Sequence, residues 1–146
     1  GKKICILGFA FKANTNDTRE SPAISICKDF LEEGAYLSIY DPKVNPNQIS
    51  IDLDSDPINI LENSSETSKI NSYEGKWGFA DNIVDSSYGA DAIIILTEWE
   101  EYTVIDWDLI SKNMRSMAWV FDARGIVNAE DVINSGLNFW RIGDGS

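Results

Sequence analysis

The sequence predicts an α/β fold in which a doubly wound parallel sheet of about five or six strands carries helices on both faces. Two observations lead to this prediction. Short apolar runs alternate along the chain with segments in which apolar residues recur at helical spacing. The runs also lack the period-two alternation of a half-exposed sheet, and near-continuous apolar strands are typical of parallel sheets covered on both sides.

The first part of the chain predicts a strand, a helix and a second strand. The run KICILG at 3–8 is nearly all apolar. Ser21 and Pro22 then predict a helix start, because serine caps well and the first helical position does not need the N–H that proline lacks. Apolar residues at helical spacing follow, and Gly34 ends the helix. The run AYLSIY at 35–40 predicts the second strand, which ends in a stretch rich in turn formers.

A polar insert at about 51–80 follows the second strand. Its apolar residues are isolated, so we expect a long connection with short pieces of structure. Its acidic residues lack the ordered spacing and the glycine of an EF-hand loop, and we therefore predict no metal site there.

The remainder predicts a short helix and then three strands that alternate with two helices. The short helix lies near 82–88, and the run DAIIILT at 91–97 is the strongest strand signal in the chain. The other elements are a helix capped by Asp106 and extending to about Met114, a strand at 118–123, a helix closed by Gly136 and a final strand at 137–143. Together these elements describe a Rossmann-like fold.

Composition and charge exclude several classes of partner and of chemistry. The 146 residues carry a formal net charge of −12 and include no histidine. We therefore expect no nucleic acid partner and no membrane partner, since both need extended basic surface. No apolar run is long enough to span a bilayer. The missing histidine also removes the usual general base and zinc ligand.

The two cysteines, Cys5 and Cys27, both fall where a core residue is expected. We interpret them as reduced structural thiols rather than as nucleophiles or a disulfide. Reduced thiols indicate a reducing compartment, so we expect a cytoplasmic location. The chain also lacks an initiator methionine and enters a strand almost at once, which indicates a piece of a longer polypeptide.

Four of the twelve basic residues follow predicted strands, at the edge where open parallel sheets bind ligands. Lys12 and Arg19 follow the first strand, Lys43 follows the second and Arg124 follows the strand at 118–123. Cations gathered on an acidic protein predict an anion site. Arginine suits phosphate because its planar fork donates paired hydrogen bonds, and the N–H groups at a helix start can add to such a site.

Neighbouring carboxylates leave a plainer alternative, in which each cation belongs to an ordinary ion pair. These carboxylates are Asp17 and Glu20 beside Lys12 and Arg19, and Asp122 beside Arg124. Convergence of several cations on one edge favours the anion site over separate ion pairs.

The stretch GFAFKA at 8–13 resembles a degraded dinucleotide fingerprint, with Asp41 in the place of the acidic ribose ligand. Ala10 and Ala13 replace the second and third glycines, and the inserted NTNDTRE lengthens the turn. We interpret the match as weak and expect a loop built for another ligand.

Four motifs, in order, resemble the C-terminal nucleotide-sugar-binding domain of the UDP-glucose/GDP-mannose dehydrogenase family. They are ILGFAFKANTNDTRES, IYDPKV, ILTEWEEY and FDARGIV, so the resemblance extends over nearly the whole chain, 1–146. Their spelling is closest to eukaryotic-type members that act on UDP-glucose. Asn14 and Ala123 depart from the usual family pattern, whereas the charged positions are retained.

The resemblance implies a longer NAD-dependent enzyme that oxidises UDP-glucose at C6, twice, to UDP-glucuronate through a cysteine thioester. The catalytic cysteine and the main NAD site would lie in N-terminal and central domains, within a homo-oligomer, so no catalytic residue and no metal ligand is assigned here. By resemblance, Phe11, Lys12 and Arg124 bind the substrate UDP-glucose, and Arg19 reaches the NAD cofactor. Glu98 and Trp99, in ILTEWEEY, are interpreted as structural.

Two other interpretations stay open. The same domain could serve a dehydrogenase for GDP-mannose or for a UDP-N-acetylhexosamine, because residues that select the sugar would lie largely outside this chain. The chain could also be a stand-alone nucleotide-binding module of Rossmann type. A dinucleotide fingerprint and a catalytic cysteine encoded upstream would distinguish the enzyme domain from such a module.

Overall fold

The chain forms a six-stranded parallel sheet, in a computed structural model that describes residues 2–58 and 74–142. The strands are β1 (Lys3–Leu7), β2 (Tyr36–Tyr40), β3 (Lys76–Phe79), β4 (Ala92–Ile95), β5 (Trp119–Asp122) and β6 (Asn138–Arg141). Across the sheet they lie in the order β3-β2-β1-β4-β5-β6, and all neighbouring strands run parallel. The predicted Rossmann-like, doubly wound fold is therefore confirmed.

Helices connect these strands, and each α-helix in the described ranges begins at a side chain that caps it. The helices are α1 (Pro22–Glu32), α2 (Pro46–Leu53), α3 (Ile83–Ser87), α4 (Trp107–Asn113) and α5 (Ala129–Asn134), with a 3-10 helix at Glu100–Val104. The caps are Ser21, Asn45, Asn82, Asp106 and Asn128, whose oxygens accept N–H groups of the first turn. None of these described helices is long and apolar enough to cross a bilayer.

Two elements in or beside the polar insert were not predicted. The helix α2 begins with Asn45 as its cap and Pro46 in its first turn, which is the kind of signal that predicted α1. The strand β3 has only four residues, and its Trp77 is fully buried and donates its indole N–H to the Ser55 carbonyl at 2.9 Å. The middle of the insert, residues 59–73, lies outside the described residues.

The face of the sheet that packs on α3 is identified by three side chains. The Sγ of Cys5 on β1 and the Oγ of its register neighbour Ser38 on β2 lie 3.1 and 3.2 Å from the Oγ of Ser86 on α3. We call this side the α3 face. Ile4 and Ile6 point to the opposite face, because successive side chains of a strand alternate.

Both cysteines are fully buried, as the sequence predicts for core residues. Burial raises the pKa of Cys5 to about 12, and it also raises the pKa of Cys27. Neither thiol forms an appreciable amount of thiolate near neutral pH, so neither is suited to act as a nucleophile.

Gly8, which follows β1, packs closely against Thr97, which follows β4. Its φ is +100°, and a Cβ at this position would lie 2.3 Å from the Thr97 Oγ1. The Thr97 hydroxyl in turn donates to the Ala10 carbonyl at 3.1 Å. A residue without a side chain is therefore needed where the chain leaves β1 for the following loop.

We expect Gly8→Ala to lower the free energy of unfolding by about 3 kcal/mol or more, because it combines backbone strain with overpacking. Gly136→Ala is the matched control, since its φ is +96° and nothing lies within 4 Å of the added Cβ. The control should cost about 1–2 kcal/mol from backbone strain alone. Urea unfolding measures both, and equal losses in the two variants would contradict the proposed close contact.

Candidate functional site

The order of the strands reverses direction between β1 and β4, so the loops that follow these two strands diverge at the carboxyl edge of the sheet. Ligands of doubly wound sheets bind at such a switch point. The loop at 8–21 follows β1, the loop at 96–106 follows β4, and the loop at 123–128 follows β5. These loops carry most of the residues predicted to bind a ligand.

Asp41, which directly follows β2, organises the loop after β1. Its side chain is buried, with the residue only 3% exposed. Its carboxylate accepts hydrogen bonds from the backbone N–H groups of Phe9 (2.8 Å), Ala10 (2.9 Å), Lys43 (2.8 Å) and Val44 (2.9 Å), and from the indole N–H of Trp99 (3.3 Å). Because both oxygens are fully engaged, Asp41 is not available as a ribose ligand, which agrees with the weak match to a dinucleotide fingerprint.

Asp122, the last residue of β5, organises a second loop in the same way. It is fully buried. Its oxygens accept the backbone N–H groups of Arg124 (3.1 Å), Gly125 (2.8 Å), Ile126 (2.7 Å) and Val127 (2.9 Å). The alternative ion pair between Arg124 and Asp122 is therefore wrong: Asp122 binds the backbone N–H of Arg124 and leaves its guanidinium to another partner.

That partner is Glu98, which follows β4 and connects the loop at 8–21 to the loop at 123–128. One of its carboxylate oxygens accepts the backbone N–H of Ala13 at 2.6 Å, and the other forms an ion pair with the Nη2 of Arg124. Arg124 and the loop that carries Phe11 and Lys12 are thereby held at one carboxylate. The structural role predicted for Glu98 is thus to join two loops of the candidate site, and its place after the strongest strand signal was the clue to that position.

Phe11 and Lys12 lie on the surface of the loop after β1. Phe11 is 42% exposed, and its backbone N–H donates to the Asp17 carbonyl at 2.7 Å, which closes the loop on itself. Lys12 is exposed and forms no ion pair with any residue in the described ranges. Both side chains are thus free to contact a ligand.

Arg19, predicted to reach a cofactor, forms the ion pair that the plainer alternative anticipated. Its Nη2 lies 2.9 Å from the Asp17 Oδ2, and its side chain is 88% exposed. Hydrogen bonds from the Arg19 side chain and backbone lower the pKa of Asp17 to about 2. No hydrogen bond or ion pair within the described structure joins Arg19 to Glu98 or Arg124.

Lys43 lines a neighbouring cleft of about 570 Å³ rather than the contact between Glu98 and Arg124. Four acidic residues line the same cleft: Asp41, whose buried oxygens already accept backbone N–H groups, and Asp81, Glu100 and Glu101. Tyr40 donates its hydroxyl to Glu101 at 2.7 Å at the side of this cleft. Lys43 therefore does not join Arg124 in one anion site, because it lies among acidic groups that repel a phosphate. Lys12 lies on the loop that Glu98 links to Arg124.

Comparison with known proteins identifies a family and several relatives. Residues 5–129 match the model for the UDP binding domain of the UDP-glucose/GDP-mannose dehydrogenase family. The chain is 40% identical over 148 residues to UDP-glucose 6-dehydrogenase 4 of Oryza sativa subsp. japonica, and 41% identical over 146 residues to UDP-glucose 6-dehydrogenase of Drosophila melanogaster. These matches cover 98% and 97% of this chain but 30% and 28% of the relatives, so the chain spans less than a third of their length.

Solved structures agree with the fold. UDP-D-ManNAc dehydrogenase from Pyrococcus horikoshii is similar with a TM-score of 0.68 and 27% identity, over 99% of this chain and 26% of that protein. A UDP-glucose dehydrogenase from Pyrobaculum islandicum is similar with a TM-score of 0.61 and 21% identity, over 95% of this chain and 24% of that protein. The second likeness shows the fold alone.

We expect Asp41→Ala to lower the free energy of unfolding by about 3–5 kcal/mol, because it leaves several buried N–H donors without an acceptor. Asp81→Ala is the matched control at the same edge of the sheet. Its carboxylate is exposed, so its loss should cost less than about 1 kcal/mol. Denaturant unfolding measures both changes, and a loss for Asp41→Ala no larger than for the control would contradict this role.

We expect Glu98→Ala to accelerate amide hydrogen exchange at Ala13, because the acceptor of that N–H is removed. Glu98→Gln should protect Ala13 better than Glu98→Ala, since the glutamine oxygen can still accept the hydrogen bond. Glu101→Ala removes a nearby carboxylate that binds Tyr40 and should leave Ala13 unchanged. Exchange measured by NMR tests this, and identical rates at Ala13 in all variants would show that Glu98 does not hold the loop.

Proposed function

The chain belongs to the UDP-glucose/GDP-mannose dehydrogenase family as a UDP binding domain, and we propose that its Glu98-linked loops bind the diphosphate of a nucleotide sugar. The observation that carries this proposal is the convergence of two donors, the Arg124 guanidinium and the Ala13 N–H, on one carboxylate. Glu98 occupies the Ala13 N–H and one end of the guanidinium, so a phosphate would bind to the Arg124 donors that the ion pair leaves free.

The ion pair with Glu98 orients Arg124 and leaves other N–H donors of its guanidinium free to bind an anion. A guanidinium has five N–H donors in a rigid fork, and the ion pair with Glu98 engages only the Nη2 end. The Arg124 side chain is 38% exposed, so its remaining donors are accessible from solvent. The fixed loop at 123–128 and the Glu98 contact hold this fork in one direction, which lowers the entropic cost of binding an anion.

Lys12 and Phe11 complete the proposed substrate contact. The Lys12 ammonium forms no ion pair among the described residues, and it adds positive charge to an otherwise acidic protein. A local cation of this kind is needed because a net charge of −12 repels a diphosphate at longer range. The exposed ring of Phe11 supplies apolar surface beside the phosphate for the rest of the nucleotide sugar.

We extend the proposal to a longer NAD-dependent enzyme that oxidises UDP-glucose to UDP-glucuronate. Support comes from relatives about 40% identical that are named UDP-glucose 6-dehydrogenases. The relative named for UDP-D-ManNAc is 27% identical, so UDP-glucose is favoured over a UDP-N-acetylhexosamine. GDP-mannose stays an alternative within the family. The stand-alone module is disfavoured because the relatives are more than three times as long as the matched domain.

In this proposal the domain binds and positions the substrate, and the oxidation takes place on groups outside it. The nucleophilic cysteine would come from another domain, because the pKa values of Cys5 and Cys27 are raised by burial. NAD, bound mainly by another domain, accepts hydride when it is present. Arg19 suits a contact with it because its exposed side chain is held only by Asp17 in the described structure. The homo-oligomer and the cytoplasmic location stay predictions.

We expect Arg124→Ala to weaken the binding of UDP by about tenfold or more, because a hydrogen bond to a charged group contributes about 1.5–3 kcal/mol. UDP titrated into the labelled domain should shift the amide signals of Phe11, Lys12 and Arg124, and the dissociation constant follows from those shifts. Arg115→Ala is the matched control, since Arg115 pairs weakly with Asp91 at the amino end of the sheet, at 3.7 Å.

The control should bind UDP as the unmodified domain does. A spectrum that does not change at millimolar UDP would contradict the proposal. Equal weakening by Arg124→Ala and Arg115→Ala would show that only the overall charge matters, and it would remove the assignment of Arg124 to the site.

A further inference from the structure

Arg141, the last residue of β6, contacts the loop at 123–128 that carries Arg124. It is the register neighbour of Asp122 on β5, so the two side chains leave the sheet on the same side. The Arg141 Nε lies 3.7 Å from the Asp122 Oδ2, and the Arg141 Nη2 donates to the Val127 carbonyl. The guanidinium therefore contacts both the carboxylate before the loop and a carbonyl near the end of the loop.

The side chain of Arg141 is itself confined by its surroundings. Only 26% of it is exposed. Its Cζ lies 5.3 Å from the centre of the Phe139 ring, which leaves β6 on the same side of the sheet and attracts the cation. A Cβ at Gly125 would lie 3.8 Å from the Arg141 Cδ, so the aliphatic stem passes beside this glycine of the loop. The guanidinium is thus held between an aromatic ring and the loop backbone.

The two buried aspartates of the candidate site differ in whether a cation accompanies them. Asp41 holds its loop through N–H donors alone and forms no ion pair within the described ranges. A cation is therefore not required to close a loop of this kind. The Arg141 Nε is buried without a hydrogen-bond partner among the described residues, and a buried ion pair with such a donor adds little net stability. Arg141 is therefore better explained by the orientation of its loop than by the stability of the fold.

We propose that Arg141 is a positioning residue for Arg124 in the nucleotide-sugar site, an inference that rests on the function proposed above. The Arg124 guanidinium is held by Glu98, and the Arg124 backbone N–H is held by Asp122. Arg141 fixes the Asp122 carboxylate at one end of the loop and a backbone carbonyl at the other. The backbone that carries Arg124 is thereby restrained at both ends, and a restrained donor binds an anion at a lower entropic cost. Arg141 acts through Arg124 and does not contact the diphosphate itself.

Arg141→Met tests the restraint of the loop without any ligand, because it removes the guanidinium and keeps an unbranched apolar stem. We expect amide hydrogen exchange, measured by NMR, to accelerate about tenfold at the four loop N–H groups that bind Asp122. The N–H groups that bind Asp41 should keep their rates, since the other loop does not contact Arg141 in the described structure. Arg115→Met is the matched control, because Arg115 also lies 3.7 Å from an aspartate, and both sets of rates should stay unchanged.

A double-mutant cycle in UDP binding tests whether Arg141 acts through Arg124. Arg141→Met should weaken the binding of UDP about fivefold in the otherwise unmodified chain. In the Arg124→Ala background the same change should weaken it less than about twofold, because the side chain that Arg141 positions is already gone. Arg141→Lys should give an intermediate loss, since an ammonium keeps the charge but lacks the rigid fork. Arg115→Met, which removes the same charge, should bind UDP as the unmodified chain does.

Equal weakening of UDP binding in both backgrounds would overturn the inference, because Arg141 would then attract the diphosphate through its own charge. Faster exchange at the N–H groups of both aspartates would also overturn it, since it would show a general loss of stability. If Arg141→Met does not fold, Arg141→Lys supplies the same two comparisons. If the unmodified chain does not bind UDP, the proposed function fails, whereas exchange at the loop still decides the role of Arg141: unchanged rates would overturn it.

Discussion

The loops of this domain depend on one interaction, a buried carboxylate at the end of a strand that accepts several backbone N–H groups. Asp41 does this after β2 and Asp122 after β5. A buried charge is tolerated only when hydrogen bonds replace its hydration, and buried N–H groups need acceptors for the same reason. Each aspartate therefore meets both requirements at once and fixes the conformation of the loop that it binds.

Glu98 extends this arrangement from single loops to the site. It binds the backbone next to Lys12 with one oxygen and Arg124 with the other. The loops that carry Lys12 and Arg124 are thus positioned by carboxylates. In this domain the same chemical group supports the fold, orients the ligand-binding side chains and keeps the rest of the surface unattractive to polyanions.

The two halves of the sheet differ in how completely they are covered. Ile6 on β1 is fully buried, whereas Trp119 on β5 and Trp140 on β6 are 42% and 45% exposed on the same face of the sheet. The carboxyl edge presents polar loops that suit a small charged ligand, and this face of β5 and β6 presents aromatic rings that pack on one another. The two surfaces are therefore chemically unlike.

The sequence by itself determined the fold class, the capped starts of α1 and α4, the presence of α3 and α5, and the burial of both cysteines, because capping, periodicity and apolar runs are local properties. The sequence did not predict the short helix α2 or the four-residue strand β3, because each is specified by only a few buried residues. These are Ile49 and Leu53 in α2 and Trp77 in β3. Only the tertiary structure decided that Arg124 pairs with Glu98 rather than Asp122, and that Lys43 lies among carboxylates. Those pairings join loops that are distant along the chain. The register of the parallel strands decides which side chains of these loops become neighbours, and no local sequence pattern encodes that register.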